Sequence, residues 1–343
     1  MVVGLGQMGQ SHALAYHRNP GFELIGFVNR TAVALPAELA GYQRFESGEA
    51  GLAQRPELVS VNTYTDSHAR YAIAALEAGA HVFVEKPLAA SVVEAERVVA
   101  TARRTGRKLV VGYILRHHPS YVEFIRQARK LGSPLAMRMN LNQQSSGPAW
   151  EIHKRLMDST SPVVDCGVHY IDVMLQICDS RPVQVRGMGV RLSAEIAERQ
   201  VNYGHLQVLF ADGSVGWYEA GWGPMISETA FFVKDVMGPR GAVSIVMDEG
   251  AASASVDTHT KTARIRVHAA ATGDDGGFIA PDEILSMHDE PGHQELCERE
   301  QQFVLDAIRG DVDLGKHMDD AVRSLAIVLA AERSMLERRA IDL

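Results

Sequence analysis

The stretch "MVVGLGQMG", residues 1–9, sets Gly4, Gly6 and Gly9 in G-x-G-x-x-G spacing directly behind apolar residues, and "QSHALAYHRN" follows with helix-compatible composition. Strand, turn and helix are the context in which this spacing has meaning. Gly4 allows the tight turn, Gly6 lets a pyrophosphate approach the backbone, and Gly9 lets the helix pack closely on the strand, with phosphate at the positive helix end. The reading is a dinucleotide site that includes Gly4, Gly6, Gln7, Met8 and Gly9. The alternative, a plain glycine-rich turn, fits the following helix less well. Only three residues precede Gly4, which is short for a first strand, so the native start is expected upstream of this numbering.

A second apolar run, "FELIGFV" (22–28), ends at "NRT". Asn29 stands about 20 residues past the last glycine, where an NAD site usually offers Asp or Glu to the ribose hydroxyls. With the acid missing, Asn29 can bond a ribose oxygen while Arg30 and Thr31 receive a 2′-phosphate, which favours NADP(H) over NAD(H). The plainer alternative has Arg30 stack on adenine or face water. Farther on, "ELVSVNTYTDSH" and "HVFVEKPL" flank the helical "ARYAIAALEAGA", and the helix "SVVEAERVVATARRTG" leads to "KLVVGYI". This alternation predicts a doubly wound parallel sheet. Ligands of such sheets gather beyond the carboxyl ends of the strands. Those ends carry Thr63, Tyr64, His68, Glu85, Lys86, Tyr113 and Arg116. A lysine at the end of the apolar "HVFV", followed by Pro87, is better placed to touch a ligand than to pair with Glu85 at the surface.

After Pro119 the grammar changes. One helix, "SYVEFIRQARKLG", precedes "PLAMRMNLNQQ", in which Leu135, Met137, Met139 and Leu141 share a face, and then "PVQVRGMGV", "GHLQVLFADG", "SVGWYEAGW", "TAFFVKDVMG" and "GAVSIVM" read as strands. Strand after strand with hairpin signals such as Asp212-Gly213 predicts a large open, mostly antiparallel sheet. The fold class is therefore α/β, with a Rossmann domain over 1–118 and an α/β domain over 119–343, the latter closing in two helices. Within it, "PVVDCGVHYIDVMLQIC" places Asp165, His169 and Asp172 at i, i+4 and i+7, a polar stripe on an apolar helix, with Gly167 leaving space beside it. A surface face, a satisfied core histidine and a metal site are the competing readings; no fourth ligand is evident, and no metal is expected.

The 343 residues are 46% hydrophobic and carry 34 basic against 42 acidic side chains, a formal charge of −8, without a Lys/Arg run that would mark a nucleic-acid surface. Cys166, Cys178 and Cys297 have neither metal-like nor disulfide-like spacing, which favours a reducing, cytoplasmic setting. No apolar run approaches the roughly 20 residues of a membrane span and "MVVGLGQMG" has no basic, cleavable apolar stretch, so export and membrane insertion are not expected.

The ordered set "GLGQMG", "EKPLA", "GYILRHHP" and "DCGVHYIDVM" resembles the glucose-fructose oxidoreductase / inositol dehydrogenase / MocA family over most of the chain. The resemblance implies a Rossmann domain, a second domain whose open sheet forms a homodimer or homotetramer interface, and nicotinamide-dependent chemistry on a sugar, cyclitol or related polyol. By motif, Lys86 is the lysine that points at the reacting hydroxyl, and Pro87 follows a cis bond. Asp165 and His169 match the D-x-x-x-H pair, with histidine the acid/base candidate and aspartate an orienting group, and Arg116 matches a residue near nicotinamide and substrate. Asn29-Arg30 departs from the acidic residue of the NAD-dependent pattern.

Oxidising a secondary alcohol needs a hydride acceptor and a base for the hydroxyl proton. The expectation is that His169 takes the proton while Lys86 hydrogen-bonds the same oxygen and Asp165 holds a neighbouring hydroxyl; the first two roles are exchangeable. Tyr113 and Trp150 are expected to touch substrate. The amides of "NLNQQSSGPAW" and the Trp217, Tyr218, Glu219 and Trp222 of "GWYEAGWGP" could line a carbohydrate pocket, and His153 and Lys154 could meet a carboxylate. Two rival activities remain at this level: a lyase or glycosidase that oxidises transiently and reduces again, and a non-catalytic NADP(H)-binding regulator.

Overall fold

In chain order the first strands and helices are β1 (Val2–Val3), α1 (Gln7–Arg18), β2 (Phe27–Val28), β3 (Arg44–Phe45), α2 (Gly48–Leu52), β4 (Leu58–Val61), α3 (Thr65–Glu77), β5 (His81–Glu85), α4 (Val92–Thr105) and β6 (Leu109–Gly112). They come from a computed structural model describing residues 1–227, 233–247, 262–288 and 290–343. All six strands pair in parallel in the order β3-β2-β1-β4-β5-β6, so the winding reverses between β1 and β4. That reversal is where a doubly wound sheet opens a crevice for ligands.

Local chemistry sets the element ends. Ser91 caps α4 by accepting from the Glu94 N–H at 3.3 Å and donating to its carboxylate at 2.9 Å, and Gly106 at φ +65° stops the helix in the left-handed region. The second strand is shorter than its apolar run suggests. Gly26 stands at φ +145° with Gln43 O pressed against it, and only Val2 and Val3 of β1 offer ladder partners.

The second unit contains α5 (Pro119–Ala128), β7 (Ala136–Gln144), α6 (Gly147–Leu156), α7 (Pro162–Asp165), α8 (Gly167–Ile177), β8 (Pro182–Val190), β9 (Tyr203–Phe210), β10 (Val215–Gly223), β11 (Lys234–Gly238), β12 (Gly241–Val246), β13 (Arg264–Ala269) and β14 (Glu283–Ser286). Part of the run read as the strand "TAFFVKDVMG", residues 229–232, lies outside the described residues. The strands form a nine-stranded sheet, β14-β13-β12-β11-β7-β10-β9-β8, closed at the last edge by a carboxyl-terminal strand, β15 (Ile341–Asp342). Among the described residues only β7 and β10 pair in parallel in this sheet. Helices α5, α7 and α8 cover one face, on which Met137, Met139 and Leu141 are buried as their alternation predicts. Met188, Leu209, Val215, Met237 and Ile284 are exposed elsewhere on this sheet.

Two helices precede that last strand, α9 (His293–Arg309) and α10 (Gly315–Glu337). Here the expected division at 118/119 needs amending. The first unit comprises Met1–His117 together with Pro291–Leu325, and the second His118–Glu290 with Ala326–Leu343. The reason is the apolar stripe of α9: Val304 and Ala307, with Leu314 beyond them, pack on Phe83 and Val110 of the parallel sheet. Burying such side chains contributes about 1.5–3 kcal/mol for each large one, enough to return the chain to this sheet.

The same helix also buries an acid. Glu300 is 1% exposed and neither carboxyl oxygen has a hydrogen-bond partner among the described residues, so burial, helped by nearby Glu85, pushes its pKa well above the usual range. A raised folded-state pKa means that the folded chain holds a proton the unfolded chain releases. Stability from this group is complete below the unfolded value and declines as pH rises toward the folded one. Glu300→Gln should therefore raise the melting temperature more at pH 8 than at pH 5. Equal shifts in thermal melts at both pH values would contradict this account.

Candidate functional site

In the first unit the three glycines stand in different surroundings. Gly4, at φ +88°, passes so close to β4 that a Cβ would lie 2.5 Å from Asn62 O, and a Cβ on Gly9 would lie 2.0 Å from Gly4 O. Gly6 meets nothing within 4 Å, is exposed, and begins α1 without a side-chain cap; no acidic residue stands in the first turn. Exposed Gln7 and half-buried Met8 follow it. An open, uncapped, positive helix end over a small residue fits a dinucleotide pyrophosphate.

Asn29 serves this loop from the end of β2. Its Oδ1 accepts from Leu5 N–H at 2.9 Å and its Nδ2 donates to Thr31 O at 2.6 Å, while Arg30 and Thr31 are exposed. The side chain standing where an acid was sought thus braces the glycine loop. At the end of β4, Ser67 donates to Thr63 Oγ1 at 2.7 Å and Tyr64 is 64% exposed. His68 is buried, with Nδ1 2.7 Å from Pro87 O and Nε2 2.9 Å from Thr63 O; burial lowers its pKa against the pull of those two carbonyls. It lies between the end of β4 and the end of β5.

At that neighbouring end Lys86 is half-buried between buried Glu85 and Pro87, and the Lys86–Pro87 bond is cis. Glu85 turns inward: Oε1 lies 2.7 Å from His12 Nε2 and Oε2 accepts from Lys86 N–H at 3.1 Å. Beyond β6, Arg116 meets buried Asp320 at 3.0 Å, and Tyr113 is buried with its hydroxyl 2.7 Å from Ser324. His317 accepts from Val111 N–H at 2.8 Å. The start of α10 therefore braces the end of β6, a support that sequence reading missed.

In the second unit the expected single helix is two, α7 and α8, with Cys166 between them. From residue 162 to 175 every side chain is buried except Asp165 and His169. Asp172 departs from the expected stripe: it is fully buried, and Oδ2 accepts from Gln176 at 2.9 Å. Gly167 does not leave open space. A Cβ there would lie 3.1–3.2 Å from Val328 and Tyr218, so it seats the helix on β10.

Polar groups cluster beside Asp165. Cys166 Sγ lies 3.8 Å from Asp165 Oδ2 and 3.8 Å from Gln143 Oε1, which also accepts from the Trp222 indole at 2.9 Å. Trp222 stacks on His153 at 4.5 Å, and His153 Nδ1 is 2.9 Å from Ser145 Oγ. Burial holds the His153 pKa down to about 4, only partly opposed by Asp165, so the ring is neutral near pH 7. Lys154 is taken up by Glu151 at 2.7 Å and Glu195 at 2.9 Å. Neither residue supports the carboxylate contact raised from sequence. Trp150 is buried on α6, its indole N–H 3.3 Å from Glu195. Alternation sends Tyr218 and Trp222 to the helix-covered face of β10 and Trp217 and Glu219 to the other, so the aromatic run is divided between faces.

A buried lysine also escaped sequence reading. Lys234 is 1% exposed, donates to Asn140 O and lies 4.7 Å from the Tyr170 ring centre, and burial pushes its pKa well down. Tyr170 in turn stacks on Tyr218 at 5.3 Å. Among the described residues no group of three or more His, Cys, Asp or Glu is arranged to hold a metal ion, and no helix is long and apolar enough to cross a membrane.

Residues 1–113 match the oxidoreductase family with an NAD-binding Rossmann fold, GFO_IDH_MocA, and residues 122–269 match the GFO/IDH/MocA C-terminal domain. The chain belongs to the GFO/IDH/MocA oxidoreductase family. It is 30% identical to UDP-N-acetylglucosamine 3-dehydrogenase of Acidithiobacillus ferrooxidans over 200 residues, 57% of this chain and 59% of that protein. It is 26% identical to scyllo-inositol 2-dehydrogenase (NAD(+)) of Bacillus subtilis over 228 residues, 64% and 66% of the two chains. The matched stretches thus span less than two thirds of either relative. In fold, the chain resembles the solved UDP-N-acetylglucosamine 3-dehydrogenase GnnA of Acidithiobacillus ferrooxidans with a TM-score of 0.76, at 21% identity, covering 97% of this chain and 96% of that one.

The glycine geometry separates folding from binding. Gly9→Ala, forced against backbone, should destabilise the chain by about 3 kcal/mol or more. Gly6→Ala should melt like the parent yet bind nicotinamide dinucleotide more weakly. Calorimetry for folding and fluorescence titration for binding check the pair; identical behaviour of the two variants would refute this division.

Proposed function

We propose that the protein is a nicotinamide-dependent dehydrogenase or reductase acting between a secondary hydroxyl and a carbonyl on a sugar, cyclitol or sugar derivative. The observation that carries the reading is the helix pair on which Asp165 and His169 alone escape burial between residues 162 and 175. In the first unit Lys86 is half-buried at the end of a parallel strand.

A bound dinucleotide, held by the Gly4–Gly9 loop with Arg30 and Thr31 toward its ribose end and Thr63, Tyr64, Lys86 and Arg116 toward the nicotinamide, would supply the hydride acceptor. His169 takes the hydroxyl proton, Lys86 donates a hydrogen bond to the same oxygen as negative charge builds on it, and Asp165 accepts from a neighbouring hydroxyl. Glu85 and His68 hold the Lys86 segment. The neutral His153 and the carboxylate-bound Lys154 favour an uncharged polyol face over a sugar acid. Relatives named for UDP-N-acetylglucosamine and scyllo-inositol support the same class. The apolar residues exposed on the second sheet favour a homodimer or homotetramer, which light scattering would measure.

For the cofactor we infer a preference for NADP(H), because both polar groups of Asn29 are engaged while Arg30 and Thr31 remain exposed. The relative named for NAD(+) makes this the point to test. Reduced-nicotinamide absorbance should appear when the protein, NADP⁺ or NAD⁺ and a panel of sugars and cyclitols are mixed. Arg30→Ala should cost about tenfold or more in NADP⁺ affinity with little effect on NAD⁺, the scale of one charge-assisted hydrogen bond. Equal loss for both cofactors would remove the preference.

Lys86→Met and His169→Asn should each lower turnover by about 100-fold or more while leaving dinucleotide binding largely intact. An unchanged pH–rate profile in the His169 variant would remove it as the base. Silence across the panel despite cofactor binding would transfer the argument to a redox-neutral lyase or a regulator.

A further inference from the structure

A chain of buried side chains runs behind Lys86. The Tyr16 hydroxyl lies 2.5 Å from Gln301 Oε1, Gln301 Nε2 lies 2.9 Å from His12 Nδ1, and His12 Nε2 lies 2.7 Å from Glu85 Oε1. The other Glu85 oxygen accepts the backbone N–H of Lys86 at 3.1 Å. His12 and Gln301 are 0% exposed, Tyr16 4% and Glu85 8%. Phe83, 4.7 Å from the His12 ring, closes one side.

For a neutral His12 ring the donors and acceptors along this chain fit in one direction. The Tyr16 O–H donates to the Gln301 oxygen, which leaves the amide N–H to donate to His12 Nδ1. A ring that accepts at Nδ1 carries its proton on Nε2 and donates it to Glu85. Reversing the amide would put the His12 proton on Nδ1 and set a lone pair against the carboxylate. Tyr16 and Gln301 thus select the tautomer that Glu85 needs, as the outer partner of a metal-bound histidine selects its tautomer.

A buried carboxylate costs more than an amide would to satisfy a single backbone N–H. Glu85 accepts from two directions at once, from α1 on one side and from its own neighbour on the other. The result is a fixed peptide at the residue whose side chain does the chemistry.

We propose that His12 is a positioning residue, which, with Gln301 and Tyr16 behind it, holds Glu85 and thereby the Lys86 backbone in the orientation that the reaction uses. This rests on the role given to Lys86 above. A purely structural alternative, in which His12 only fills the space between α1 and β5, predicts loss of stability without a specific effect on Lys86.

The test compares His12→Ala and His12→Gln, whose amide can still donate to Glu85; His12→Asn, an amide too short to reach, replaces the alanine variant should that fail to fold. Trace acetylation read by mass spectrometry follows each of the chain's seven lysines separately. The Lys86 labelling rate should change severalfold in the alanine or asparagine variant, stay at the parent level in the glutamine variant, and leave Lys108 and Lys154 unaffected. Turnover should fall by about 100-fold, the cost of misplacing a reacting group by an ångström, and recover in the glutamine variant. In a Lys86→Met background the His12 substitution should cost nothing more. Unchanged Lys86 labelling, or an equal loss of turnover with and without Lys86, would overturn the proposal. If no polyol is turned over at all, the dehydrogenase reading falls, while the labelling comparison still decides the role of His12.

Discussion

The first unit depends on a place where no side chain fits. A Cβ on Gly9 would lie 2.0 Å from the carbonyl of Gly4, and one on Gly4 would lie 2.5 Å from the carbonyl of Asn62. These hydrogens-for-methyls let α1 lie directly on the junction of β1 and β4, where the sheet reverses its winding. Because the helix is that close, its buried face reaches β5 and α9, and His12 and Tyr16 can bond Glu85 and Gln301. Close backbone packing and the buried polar chain are therefore one constraint expressed at two depths.

What could be read in the sequence was what local periodicity carries. Glycine spacing, alternating strands and helices, the apolar face of β7 and the polar positions 165 and 169 of an apolar helix all repeat within a few residues, so a linear reading finds them, whereas the burial of Asp172 on the same stripe does not show there. The placement of α9 did not yield to such reading, since its apolar stripe fits any sheet and only the fold selects Phe83 and Val110. The contacts behind Lys86 were equally hidden: His12 and Glu85 are 73 positions apart and His12 and Gln301 are 289 apart. No pattern of neighbours encodes a partnership of that span.

The aromatic residues of β10 teach a related lesson. Composition groups Trp217, Tyr218, Glu219 and Trp222 as one carbohydrate-like set, but a pleated strand sends alternate side chains to opposite faces. Tyr218 and Trp222 join the helix layer and the groups around Asp165, while Trp217 and Glu219 face away. Lys234 shows the converse. Nothing in "FFVKDVMG" marks its lysine as interior, and its burial over Tyr170 follows from its register opposite Met139.

His68 sits between two carbonyl oxygens, Pro87 O and Thr63 O. A neutral imidazole has one N–H to give, and burial favours the neutral ring. The segment after β4 and the segment after β5 therefore compete for a single hydrogen. Moving that hydrogen across the ring strengthens one tie and releases the other, so the tautomer of one interior side chain apportions stiffness between two loops at the carboxyl end of the parallel sheet.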